Sequence, residues 1–183
     1  MGFLTPNAFG EHAILKTFAL QQLAQLRTTV HGLTTEQARL APTASSLTLA
    51  ALVMHGGAVA VGWSASAAGA PGTPVLPEDL RTDPTFDSLL ADGRSLPEVL
   101  AFFDRCVEVT TANIDAVGDL DVLVPVPDAP WYPADLTHWQ ARWCLAHIST
   151  EVARHTGHAD IIRETIDGKT SFELNDLAEQ ADR

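Results

Sequence analysis

One stretch of this sequence concentrates side chains that bind metals and move protons: His147-Ile-Ser-Thr-Glu151-Val-Ala-Arg154-His155-Thr-Gly-His158. In a helix, residues three, four and seven apart share one face. His147, Glu151, His155 and His158 then form a single stripe, flanked by Cys144 and Ile162. Imidazoles and a carboxylate are costly to bury without a partner, and a divalent cation is an economical one. Glu151 and His155, at i and i+4, can reach one ion from the same side.

A metal needs a further ligand, and His55 is the candidate, set in the most apolar segment among Leu52, Val53, Met54 and Val59. The residues alone leave alternatives open. A buried histidine commonly makes an ordinary hydrogen bond, and Glu151 with Arg154 would suit an exposed ion pair on a surface face. Two histidines and one carboxylate would leave coordination positions free, as catalytic metals do. Zinc in such a site lowers the pKa of bound water to about 7 and deprotonates a coordinating thiol. The chemistry on offer is therefore a hydroxide or a thiolate. Zinc is the first expectation, and nickel or iron suit the same ligands.

Other residues near this stripe have weaker assignments. His158, one turn beyond His155, is the expected acid/base residue, or else orients a ligand; His147 orients Glu151 or simply packs. Arg154 and Arg163 read as surface ion-pairing residues, and Cys144 as a core residue. Trp139 and Trp143 read as packing, while Trp63, Trp131 and Tyr132 could rim a pocket.

These residues need rigid elements to hold them, and four long segments read as helices. The first covers residues 7–30, with Ile14, Phe18, Leu20, Leu23 and Leu26 at three- and four-residue steps. Thr34 and Gln37 then form a capping box. The second helix covers residues 46–68 and is rich in Ala and Gly, which predicts close helix contact. Residues 69–94 are acidic and punctuated by proline, a link long enough for a crossover in a bundle. Ser95-Leu96-Pro97-Glu98 starts the third helix, which ends near Gly118. Its apolar face is Val99, Phe102, Phe103, Cys106 and Val109 or Thr110. Residues 122–133 read as a proline-rich loop with a short extended edge. The fourth helix begins after Thr137, with Gln140 three residues on, and reaches about Ile166 before the Asp167-Gly168 stop. Residues 169–183 read as a polar tail or a short helix.

A length of 183 residues favours one domain, and 46% hydrophobic residues supply a core. The formal net charge of −12 lacks the basic footprint that phosphate backbones or anionic membranes require. Nucleic-acid and membrane partners are therefore not expected. The apolar run at residues 47–63 is nearly long enough to span a bilayer. It contains His55, Gly56, Gly57 and Gly62 and lacks flanking lysines, so it reads as a buried helix. No signal-peptide pattern opens the sequence, and the expectation is a soluble, cytoplasmic protein. Two cysteines exclude a disulfide scaffold. No Gly-x-Ser-x-Gly elbow and no phosphate-binding glycine loop is present.

A histidine in the second helix followed by a Glu-x-x-x-His pair in the fourth resembles the DinB superfamily of metal-binding four-helix bundles, and more closely its mycothiol-dependent actinobacterial branch. The similarity is sharpest over residues 151–168, close to the pattern E-x-x-RH-x-GHAD-x-x-RE-x-x-DG, with a second match at residues 32–38 and 49–63. It spans most of the chain and is weak over residues 69–135. The resemblance implies His55, Glu151 and His155 as metal ligands and a thiol such as mycothiol as co-substrate. It also implies association of helix faces into a homodimer. One departure stands out: the acidic residue that relatives often carry just after the second-helix histidine is missing from residues 58–62.

The sequence thus predicts an all-α, up-and-down-related four-helix bundle over residues 1–168, with a long crossover between its second and third helices. The expected function is metal-dependent thiol transfer to a small electrophile, or thiol-dependent isomerisation. A metal-dependent hydrolase and a non-catalytic binding or stress protein are the rivals.

Overall fold

The computed structural model describes residues 4–83, 85–130 and 132–181. In chain order its elements are α1 (Glu11–Thr28), α2 (Thr35–Ala38), α3 (Leu49–Gly69), a 3-10 turn (Glu78–Leu80), α4 (Phe86–Ala91), α5 (Leu96–Ala116), β1 (Leu123–Pro125), β2 (His138–Gln140), α6 (Ala141–Asp167) and α7 (Ser171–Ala181). The four long helices α1, α3, α5 and α6 form an all-α bundle, and the only strand pairing among the described residues is β1 with β2.

Cross-helix contacts fix the directions. Glu11 meets Arg142, while the Thr29 and His31 carbonyls meet Arg163, so α1 and α6 run parallel. His12 meets Ile114 and Arg27 meets Asp104, so α1 and α5 are antiparallel. His55 meets Glu151 and Trp63 meets Trp143, so α3 and α6 are antiparallel. Gly57 faces Phe103 and Ser64 bonds Asn113, so α3 and α5 run parallel. Two parallel consecutive helices cannot be joined by a tight hairpin. The proline-rich crossover supplies the required length, and the bundle runs up, down, down, up.

Close approach explains Gly56 and Gly57 of α3. A Cβ on Gly56 would lie 2.3 Å from Leu26 Cδ2, and one on Gly57 would lie 3.2 Å from Cys106 Cβ and Phe103 Cδ2. The apolar run is therefore the central rod of the bundle: Leu49 through Met54 are buried, as are Ala60 and Val61. It is long and apolar enough to cross a membrane, yet 67% of its most apolar window is buried inside the fold.

Helix starts differ from the sequence expectation in three places, and the first is α3, which opens at Leu49 with Thr48 as its cap and not at residue 46. α1 begins at Glu11 because Gly10, at φ 82°, breaks the helical backbone. Its inward stripe is Ala19, Leu23 and Leu26, continued by Val30, whereas Ile14 (41% exposed) and Phe18 (47%) face outward. α6 begins at Ala141 because Thr137 and Gln140 are taken up elsewhere. The Thr137 carbonyl accepts from Val126, and Gln140 pairs with Leu123 in the β ladder. Both capping boxes form, at Thr34/Gln37 and Ser95/Glu98. Gly168, at φ 77°, ends α6. A third pairing of the same kind, Thr170 with Glu173, opens α7, whose Leu174 and Asn175 are buried and whose Asn175 exchanges hydrogen bonds with Gln25.

Candidate metal centre

Thr48 caps α3 by accepting the Ala51 amide, which sets the helix phase and directs His55 toward α6. On α6, Glu151 and His155 stand one turn apart on the same face. Glu151 Oε1 lies 3.1 Å from His155 Nε2 and 3.7 Å from His55 Nε2. One donor atom from each of the three lies within 4.8 Å of the others. Ligands bound at 2.0–2.2 Å in a tetrahedral site sit roughly 3.3–3.6 Å apart, so the observed spacing brackets what a cation needs. The His55 and His155 side chains are 13% and 11% exposed and Glu151 29%, which leaves the cluster accessible from one side.

Protonation suits the same purpose. Burial opposes ionisation of Glu151, but the His155 hydrogen bond and the three nearby imidazoles outweigh it and hold the carboxyl below its usual range. Burial, then the neighbouring His55, lowers His155 despite the favourable Glu151 contact. A carboxylate and a neutral imidazole are the forms that bind metals.

The fourfold stripe of α6 divides in space. His147 belongs to an aromatic wall: Trp139, Trp143 and His147 stack in parallel at centroid distances of 5.2 and 4.9 Å, and Trp63 of α3 stands edge-on to all three. His158 packs against His155 at 5.7 Å, beside a small cavity that includes Leu47 and Ile162. The Nδ1 atoms of His155 and His158 are buried and have no hydrogen-bond partner among the described residues.

Arg163 corrects the surface assignment. It is 2% exposed, grips both oxygens of Asp167 at 2.9 Å, and donates to the Thr29 and His31 carbonyls at the end of α1. Cys106 and Cys144 are fully buried, and burial pushes both thiols up to about 12. Neither serves as a nucleophile. Trp63 and Tyr132 do line a common cavity, joined by Trp139, which the sequence reads only as packing; Trp131 lies outside the described residues.

Phe86 is the residue that spacing did not reveal. It stacks on the His55 ring at 4.5 Å with a 27° tilt and lies 5.5 Å from His155, so the crossover roofs two of the three donors. Its signal was the i, i+3, i+4 pattern of Phe86, Leu89 and Leu90 amid prolines.

No curated protein and no solved structure matches the chain. The family model described as mycothiol S-transferase matches residues 14–168, from the first turn of α1 to the glycine that ends α6. That span contains all three donors and the bundle except the first three residues of α1, and the chain belongs to the mycothiol S-transferase family, within the DinB-like superfamily.

Proposed function

We propose that this protein is a divalent-metal-dependent transferase that joins the sulfur of mycothiol to a small electrophile. The observation that supports this most directly is the convergence of His55, Glu151 and His155 from two helices, within 4.8 Å, in a chain of this family. A divalent cation held by two imidazoles and a carboxylate keeps open positions and favours the thiolate form of a thiol that reaches it.

The chain's own residues then have distinct roles. His55, Glu151 and His155 hold the cation, with zinc, nickel and iron all suited to the donor set. Phe86 fixes the His55 ring. His158 is the residue proposed to take up the thiol proton. In transfer, a C–S bond forms, the bond to the leaving group breaks, and that group departs with the thiol proton. In isomerisation, the sulfur adds to a double bond and is later expelled, regenerating the thiol. The buried cysteines require the sulfur to come from the co-substrate.

The test is to incubate the purified protein with mycothiol and a panel of electrophiles, with and without chelator. Thiol adducts that disappear on chelation and return with metal are expected. Turnover of the same electrophiles in thiol-free buffer would instead establish a hydrolase.

A further inference from the structure

A cavity of about 390 Å³ opens beside the cluster, within the range of roughly 300–1,000 Å³ typical of small-molecule sites. Its near wall is Ala58 and Val59, one turn along α3 from His55. Trp63 and Trp139 form its sides, and Tyr132 stands edge-on to Trp139 at 5.2 Å. Trp63 also touches His147, one turn before Glu151 on α6, which makes the aromatic wall continuous from cavity to donors.

Among the described residues, every side chain lining this cavity is uncharged. An anionic ligand would lose its hydration there without gaining a cationic partner from the described lining, and it would enter a chain of net charge −12. A flat ring gains from the same surfaces, because edge-to-face and offset contacts with indole and phenol rings are favourable. Gly62 keeps the space open: a Cβ built there meets nothing within 4 Å.

We infer that this cavity is the acceptor subsite and that it selects uncharged, apolar electrophiles carrying an aromatic ring. This rests on the transferase function proposed above. With 1-chloro-2,4-dinitrobenzene as acceptor, the thiol sulfur bonds to the ring carbon, the C–Cl bond breaks, and chloride and the thiol proton leave as HCl.

Binding separates this inference from that function. The full-length protein, as purified and in thiol-free buffer, is titrated with 1,3-dinitrobenzene while tryptophan fluorescence is followed. Saturable quenching is expected, with 3,5-dinitrobenzoate binding at least tenfold more weakly. Gly62→Leu, which fills open space on a helix, should weaken 1,3-dinitrobenzene at least tenfold while unfolding at no lower temperature than the wild type. Equal affinity for the neutral and anionic probes would overturn the inference even without that variant, as would unchanged affinity in a folded Gly62→Leu protein. If the probe binds as expected but mycothiol and 1-chloro-2,4-dinitrobenzene never react, the transferase function fails and the pocket stands. If they react with the same KM in Gly62→Leu, the pocket fails and the function stands.

Discussion

Phe86 and His55 stack with their ring centroids 4.5 Å apart, although one belongs to the crossover and the other to the central helix. The contact closes one side of the donor cluster and limits the rotation of an imidazole whose orientation decides whether three donors meet. Groups that orient metal ligands typically change affinity by 10–100-fold when removed. Phe86→Ala should weaken zinc affinity by about tenfold, measured by competition with a chromophoric chelator. An unchanged affinity would show that α4 is only a connector.

Arg163 ties the last turn of α6 to the end of α1. Removing one partner of a buried pair costs about 3–5 kcal/mol, because the other groups stay buried and unpaired. Arg163→Ala takes this donor from the Thr29 and His31 carbonyls and from Asp167, which keeps only Lys169. At 2–4 °C per kcal/mol for a domain of this size, its unfolding midpoint should fall on the order of 10 °C. A fall of only 1–2 °C in thermal unfolding would mean that the pair is not a structural tie.

Asp160 gives a pH signature of opposite sign to the usual carboxylate. Burial, then the neighbouring Glu164, pushes it up to about 6. A folded-state value above the unfolded one means that the folded chain holds the proton more tightly. Stability is therefore lost as pH rises from about 4 to about 6, and the loss is complete above that. Asp160→Asn should raise the unfolding temperature at pH 8 and leave it nearly unchanged at pH 4. The same increment at both values would contradict this assignment.

Glycines of α3 should respond in opposite directions. Gly57 has Cys106 and Phe103 at 3.2 Å from its missing Cβ, whereas Gly62 has open space. Overpacking a core costs about 1–3 kcal/mol, so Gly57→Val should destabilise by that order in urea unfolding. Gly62→Ala should stabilise by roughly 0.5–1 kcal/mol, since alanine outranks glycine inside a helix. Equal responses would mean that the α3–α5 contact leaves room for a side chain at Gly57.

Local chemistry is what the sequence displayed best. Ser95 with Glu98, Thr34 with Gln37, and Gly168 each announce a helix end within four residues, and each forms. The 151/155 pair was visible for the same reason, and His55 because a histidine inside an apolar helix calls for a partner. Features set by distant backbone were not visible. The acceptors of Arg163 are carbonyls at Thr29 and His31, which no side-chain pattern marks. Thr137 and Gln140 imitate a capping box, but the β ladder claims them first. Ile14 and Phe18 share a helical period with Leu26, yet α1 turns the Ala19–Leu23–Leu26 stripe inward and leaves both half exposed.

The central claim is that His55, Glu151 and His155 together hold one divalent cation. Metal content of the purified wild-type protein should be measured by mass spectrometry beside His55→Ala, Glu151→Gln and His155→Ala, each checked for intact helical signal. The account predicts close to one zinc, nickel or iron per wild-type chain and a loss of most of it in every variant. Equal metal content in all four proteins, whether full or negligible, would contradict it.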